Sequence, residues 1–151
     1  MSRILVAYYS RTGNTKKVAQ EISRLLKADI DEIKDKKSRL GIINWLKAGR
    51  DAMKENITEI DFSKNPEKYD LVVIGTPVWG WKMVPAVRTY LINNKVKKIA
   101  FFSTSGGTNV ARTFSQMQEI SSKPVSTLSI LEKEVKSNSF QDKVKDFCKA
   151  L

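Results

Sequence analysis

Short apolar runs and longer amphipathic stretches take turns along the chain. Arg3 to Tyr9, with Ile4-Leu5-Val6-Ala7 at its centre, is a continuous apolar run, the pattern of a strand covered on both faces. Asn14 to Lys27 then places Val18, Ile22, Leu25 and Leu26 on one side of a helix. Asp29 to Lys34 has only Ile30 and Ile33 between acids and lysines and predicts a weak strand, whose polarity suits a sheet edge. Asp70 to Thr76 is apolar throughout and predicts a central strand, followed by a helix with Pro85 in its first turn that stops near Asn93-Asn94. Val96 to Ser103 predicts a fourth strand, Thr108 to Ser121 a helix on Val110, Phe114, Met117 and Ile120, and Pro124 to Ile130 a fifth strand. Ser137 or Asn138 is expected to cap a final helix whose stripe is Phe140, Val144, Phe147, Cys148 and Leu151. Strands that alternate with helices, without repeats, predict a doubly wound α/β fold of three layers, and 151 residues suit a single domain over residues 1–151.

Residues 36–56 carry Ile42, Trp45, Leu46, Gly49 and Met53 at helical spacing, with Arg39, Lys47, Arg50 and Lys54 among the polar positions. A basic amphipathic helix follows, read first as the crossover that covers the sheet between the second and third strands. Its basic face also suits an acidic partner or the surface of an anionic membrane.

Composition removes several chemistries. With no His and one Cys, the chain can build neither a Cys/His zinc site nor a disulfide nor a Ser-His or Cys-His pair. Cys148 lies on the apolar stripe of the last helix and reads as a small buried hydrophobe. No leader pattern and no apolar run of about 18 residues occurs, so a cytoplasmic, soluble protein is expected. The net charge is +11, with 15 basic against 11 acidic residues in 1–75 and 12 against 5 in 76–151. An excess spread over both halves favours anionic partners, although no recognition-helix or aromatic-basic strand pattern points to nucleic acid.

Chemistry concentrates where strands end. Ser10-Arg11-Thr12-Gly13-Asn14-Thr15 sets three hydroxyls and a glycine at the start of a helix, which suits either a terminal phosphate or an ordinary capped turn. There is no G-x-G-x-x-G for a dinucleotide and no G-x-x-x-x-G-K-[ST] for a nucleoside triphosphate. No aspartate ends the run Val72-Val73-Ile74-Gly75-Thr76, which excludes a phosphoacceptor response regulator.

Ser10 to Thr15 is similar to the FMN phosphate loop of the flavodoxin family. Thr76-Pro77-Val78-Trp79-Gly80-Trp81 looks like that family's aromatic loop, and Ser103-Thr104-Ser105-Gly106-Gly107-Thr108 like its third flavin-contacting loop. The resemblance spans the chain and implies a five-stranded parallel sheet of order 2-1-3-4-5, with FMN in the crevice outside the carboxyl ends of strands one, three and four. Trp79 or Trp81, with Trp79 favoured, would stack on the ring, Gly80 would turn a carbonyl toward flavin N5, and Gly106, Gly107 and the N–H groups around Ser105 would meet the pyrimidine edge. The implied function is one-electron transfer between redox proteins. The alternatives are an FMN-dependent reductase of quinones or another small molecule, linked to NAD(P)H, or a flavodoxin-type protoporphyrinogen oxidase. Familiar members of the family are acidic. The opposite charge here predicts partners with acidic docking surfaces and a less extreme low potential for the anionic, fully reduced flavin.

Overall fold

The computed structural model describes residues 2–36, 58–107 and 109–151. The predicted 36–56 helix therefore lies outside the described residues except for Lys36, and so does Thr108. Five parallel strands form the sheet: β1 (Ile4–Tyr8), β2 (Asp29–Glu32), β5 (Leu71–Trp79), β7 (Ile99–Ser105) and β8 (Thr127–Leu131). Their spatial order, β2-β1-β5-β7-β8, is 2-1-3-4-5 when only these five are counted. Three two-residue strands complete the set: β3 (Lys34–Asp35) pairs antiparallel with β4 (Ile60–Asp61), and β6 (Lys82–Met83) folds back on β5.

Both faces of the central strands are buried, which explains their unbroken apolar runs. Leu5, Ala7, Val72, Ile74 and Phe101 face one core with Val87, Tyr90 and Leu91 of α2 (Pro85–Asn93) and Met117 of α3 (Ala111–Glu119). Val6, Val73, Ala100 and Phe102 face the other, under Val18, Ala19 and Ile22 of α1 (Asn14–Leu26) and Val144 and Phe147 of α5 (Gln141–Lys149). Gly75, opposite Phe102 in register, has a packing reason to be glycine: a Cβ there would lie 2.0 Å from Cζ of the Phe102 ring.

The acids of β2 have work to do at this edge. Asp31 is buried, and its carboxylate accepts the backbone N–H groups of Ser63 (2.9 Å) and Lys64 (2.7 Å), while the Tyr69 hydroxyl donates to Asp29 at 2.6 Å. These bonds tie the stretch that leads into β5 back onto β2. The β3–β4 ribbon closes with Lys36 N–H to Glu59 O at 3.0 Å and Thr58 Oγ1 to Asp35 Oδ1 at 3.0 Å. Thr58 is fixed in turn to Thr89 of α2, which donates to its carbonyl and accepts from its N–H.

The sequence expectations differ from the structure at the ends of elements. The third strand continues through Pro77-Val78 to Trp79, because the hairpin partner β6 supplies hydrogen bonds beyond the parallel sheet. The fourth strand runs past Ser103 through Thr104 and Ser105 rather than turning into a loop there, and pairing with β8 holds them in the sheet. Asn138 does not begin the last helix. It ends a short helix, α4 (Glu132–Lys136), with φ of 56°, where the Asn138 and Ser139 N–H groups bond to Val135 O and Glu134 O in a Schellman arrangement. Cys148 is half-buried on α5, and burial pushes its thiol up to about 11, as a packing residue requires.

Candidate functional site

The three stretches singled out above follow β1 or form the ends of β5 and β7, so they meet at one edge of the sheet, the carboxyl edge where ligands of open α/β sheets bind. The first begins at Tyr9 and turns at Gly13, which holds φ of 99° as the N-cap of α1, a conformation glycine adopts at little cost. Ser10 Oγ accepts the Gly13 N–H at 3.1 Å and shapes the loop, while Thr12 and Gly13 are exposed, and Arg11 and Asn14 partly so. No side chain caps α1, and its first turn contains no acid. The first N–H groups of a helix lack intrahelical acceptors, so this end is a patch of outward donors at the positive end of a dipole. Nothing would lie within 4 Å of a Cβ at Gly13. Thr15 is different: it is buried, and its hydroxyl is 2.7 Å from that of Thr104.

The second stretch is a β-hairpin. Trp79 pairs with Lys82 across Gly80 and Trp81, whose φ values of 57° and 63° make a type I′ turn. A tryptophan in the left-handed region is unusual, and Thr113 of α3 holds it by donating its hydroxyl to Trp81 O at 2.8 Å. The two indoles have separate surroundings. Trp79 is partly buried against the core, with its ring edge-on to Tyr9 at 5.6 Å, and Trp81 is 56% exposed. Thr76 is buried and engaged, donating to Pro77 O and accepting the Val84 N–H.

The third stretch leaves β7 through Ser105, whose hydroxyl donates to Gly107 O at 2.6 Å. Gly106 and Gly107 are exposed, with only the Glu132 carboxylate within 4 Å of a Cβ built at Gly106 and nothing near Gly107. Ser103 is wholly buried, and its hydroxyl has no partner among the described residues. Between the hairpin and this loop lies an open groove of about 430 Å³, walled by Val78, Gly80 and Trp81 on one side and by Ser105, Gly106 and Gly107 on the other, with Asn109 and Val110 closing it. A larger hollow of about 630 Å³, between Phe114 of α3 and Pro124, contains none of the motif residues.

The structure thus gathers Ser10 to Asn14, Val78, Gly80, Trp81 and Ser105 to Gly107 along the open edge. It sets Thr15, Thr76, Ser103 and Thr104 beneath it, with Pro77 leading into the hairpin and Trp79 packed against Tyr9 and the core. Sequence inspection missed Asn109 as a wall and Thr113 as the anchor of the hairpin. Thr113 adjoins Phe114 on the helix stripe, and no periodicity distinguishes a threonine that packs from one that bonds a distant carbonyl. Tyr8, one residue before the first loop, stays protonated: burial first, then Glu32 and Asp31, push its hydroxyl up to about 12. Among the described residues, no group of His, Cys, Asp or Glu could hold a metal ion, and no helix is long and apolar enough to cross a membrane.

A sequence profile of the flavodoxin family matches residues 3–148. Among solved structures, a flavoprotein from Lactobacillus acidophilus NCFM in complex with FMN is 26% identical, with a TM-score of 0.73 over 91% of this chain and 98% of that one. A candidate flavoprotein from Bacteroides uniformis matches at 20% identity, 98% of both chains and a TM-score of 0.79, and oxidised flavodoxin 2 from Bacillus cereus at 18%, 96% and 99% coverage and 0.54. No curated protein matches the chain. The strand order, the three converging stretches and a profile match over nearly the whole length lead to one conclusion: the chain belongs to the flavodoxin family.

Proposed function

We propose that this protein binds FMN and carries electrons between redox proteins. The observation that carries this reading is the pairing of two unlike features on one edge: an uncapped, acid-free start of α1 for a phosphate dianion, and an open groove beside Trp81 for a flat ring. The residues fit the group. Backbone N–H groups at 14–16, with the hydroxyls of Ser10 and Thr12, would hold the phosphate, and Arg11 and Lys16 would add positive charge nearby. Gly106 and Gly107 leave their peptides open to the ring edge, and Trp81 would cover one face and exclude water. Bound flavin supplies the capacity to take up and release single electrons, which no side chain of this protein offers.

A Gly80–Trp81 peptide flip would convert the type I′ turn into type II′ and return Trp81 to negative φ, so the hairpin has a second accessible conformation that keeps glycine at its first central position. The net charge of +11 favours acidic protein partners. Purified protein is expected to retain FMN through gel filtration and, on stepwise anaerobic reduction with dithionite, to develop a long-wavelength absorption band before bleaching. Bound flavin that bleaches directly, with turnover of a quinone, would identify a two-electron reductase instead, and loss of flavin on the column would remove the cofactor assignment.

A further inference from the structure

The Thr15–Thr104 pair stands apart from every other contact of the site. The two residues are 89 positions apart, both side chains are buried, and their oxygens meet at 2.7 Å between the first turn of α1 and the penultimate residue of β7. Each hydroxyl can donate once and accept twice, so either can serve as the donor. A buried hydroxyl that loses its partner bears its desolvation cost alone, whereas removing both members leaves an apolar contact that is close to neutral. Thr104 is therefore placed to act on the cofactor without touching it.

Resting on the FMN reading, we propose that Thr104 is a positioning residue: through the buried hydroxyl pair it fixes the first turn of α1 against β7, and in doing so sets the preference for a phosphorylated over an unphosphorylated flavin. The donors of α1 can only converge on a phosphate if the helix start is held in place. Its own cap, Gly13, has no side chain to contribute. The hydroxyl that reaches the first turn of α1 from across the sheet is that of Thr104. Because Thr104 is the penultimate residue of the strand that leads through Ser105 to Gly106 and Gly107, the same bond joins the phosphate end of the site to its ring end.

The test is the ratio of FMN to riboflavin dissociation constants, measured by flavin fluorescence on the full chain. Thr104→Val is expected to weaken FMN about tenfold and riboflavin by less than about threefold, the loss of one buried hydrogen bond read only by the phosphate. Thr104→Ser, which keeps the hydroxyl, restores the wild-type ratio. Thr15→Val gives the same selective loss as Thr104→Val, and the double valine variant is no worse than either single one. Equal weakening of both flavins, or an unchanged FMN constant, overturns the proposal. A wild-type chain that holds neither flavin overturns the FMN reading itself, and the inference with it.

Discussion

Two helices begin directly after parallel strands at the same edge of the sheet, and their first turns have opposite chemistry. At α4 the first turn carries its own anions: Glu132 and Glu134 occupy it, the Leu131 N–H donates to Glu134 Oε1 at 3.0 Å, and Lys143 pairs with Glu134 at 2.9 Å. At α1 the corresponding positions are Asn14, Thr15 and Lys16, with glycine as cap and no acid; the Gly13 N–H meets only the neutral hydroxyl of Ser10. The helices are neighbours, since Lys17 of α1 reaches Val135 O of α4. A helix start that supplies its own anion is closed, and one that supplies none is left for an anion from outside.

The widest disruption would come from below, where both starts share a frame. Gly75→Ala drives a methyl into the Phe102 ring between β5 and β7. It is expected to cost about 3 kcal/mol and to lower Tm by about 10 °C in thermal unfolding, whether or not flavin is present. Lys16→Glu places an acid where α4 has Glu134, and so makes the open start resemble the closed one. FMN affinity should fall about tenfold or more by flavin titration, with riboflavin changed far less. Undiminished FMN binding would mean that the phosphate does not sit at α1. Glu134→Gln tests the opposite conversion and has the smallest effect, about 1 kcal/mol at neutral pH. The bonds from Lys143 and from the Leu131 N–H hold the Glu134 carboxyl below its ordinary value of 4.5, so its contribution is fully present above 4.5 and is lost as the pH falls through the depressed value of the folded state. Melting curves of wild type and variant should therefore differ at pH 7 and converge once the pH has fallen through that depressed value.

The layered fold was legible because strands buried on both faces need runs such as Leu71 to Ile74, and helices need stripes such as Val18 and Ile22. The positions of the three stretches at strand ends were legible for the same reason. What local pattern could not express was geometry created by distant partners. Trp79, Gly80 and Trp81 read as one aromatic loop, yet the hairpin turns one indole toward Tyr9 and the core and leaves the other in solvent beside the groove. Thr104 and Ser105 read as loop hydroxyls beyond the fourth strand, but β8 extends the pairing and takes them into the sheet. Asn138 had the composition of an N-cap, and its tolerance of the left-handed region made it the end of a helix instead.

The ribbon of β3 and β4 has a bearing on how this protein can change. Lys34 and Asp35 lie opposite Asp61 and Ile60, so the chain departs and returns through a single doorway, bolted by Thr58 to Asp35 and to Thr89. One threonine thus holds both sides of the doorway: its hydroxyl grips the end of β3 and its backbone grips α2, so a change at Thr58 loosens both at once.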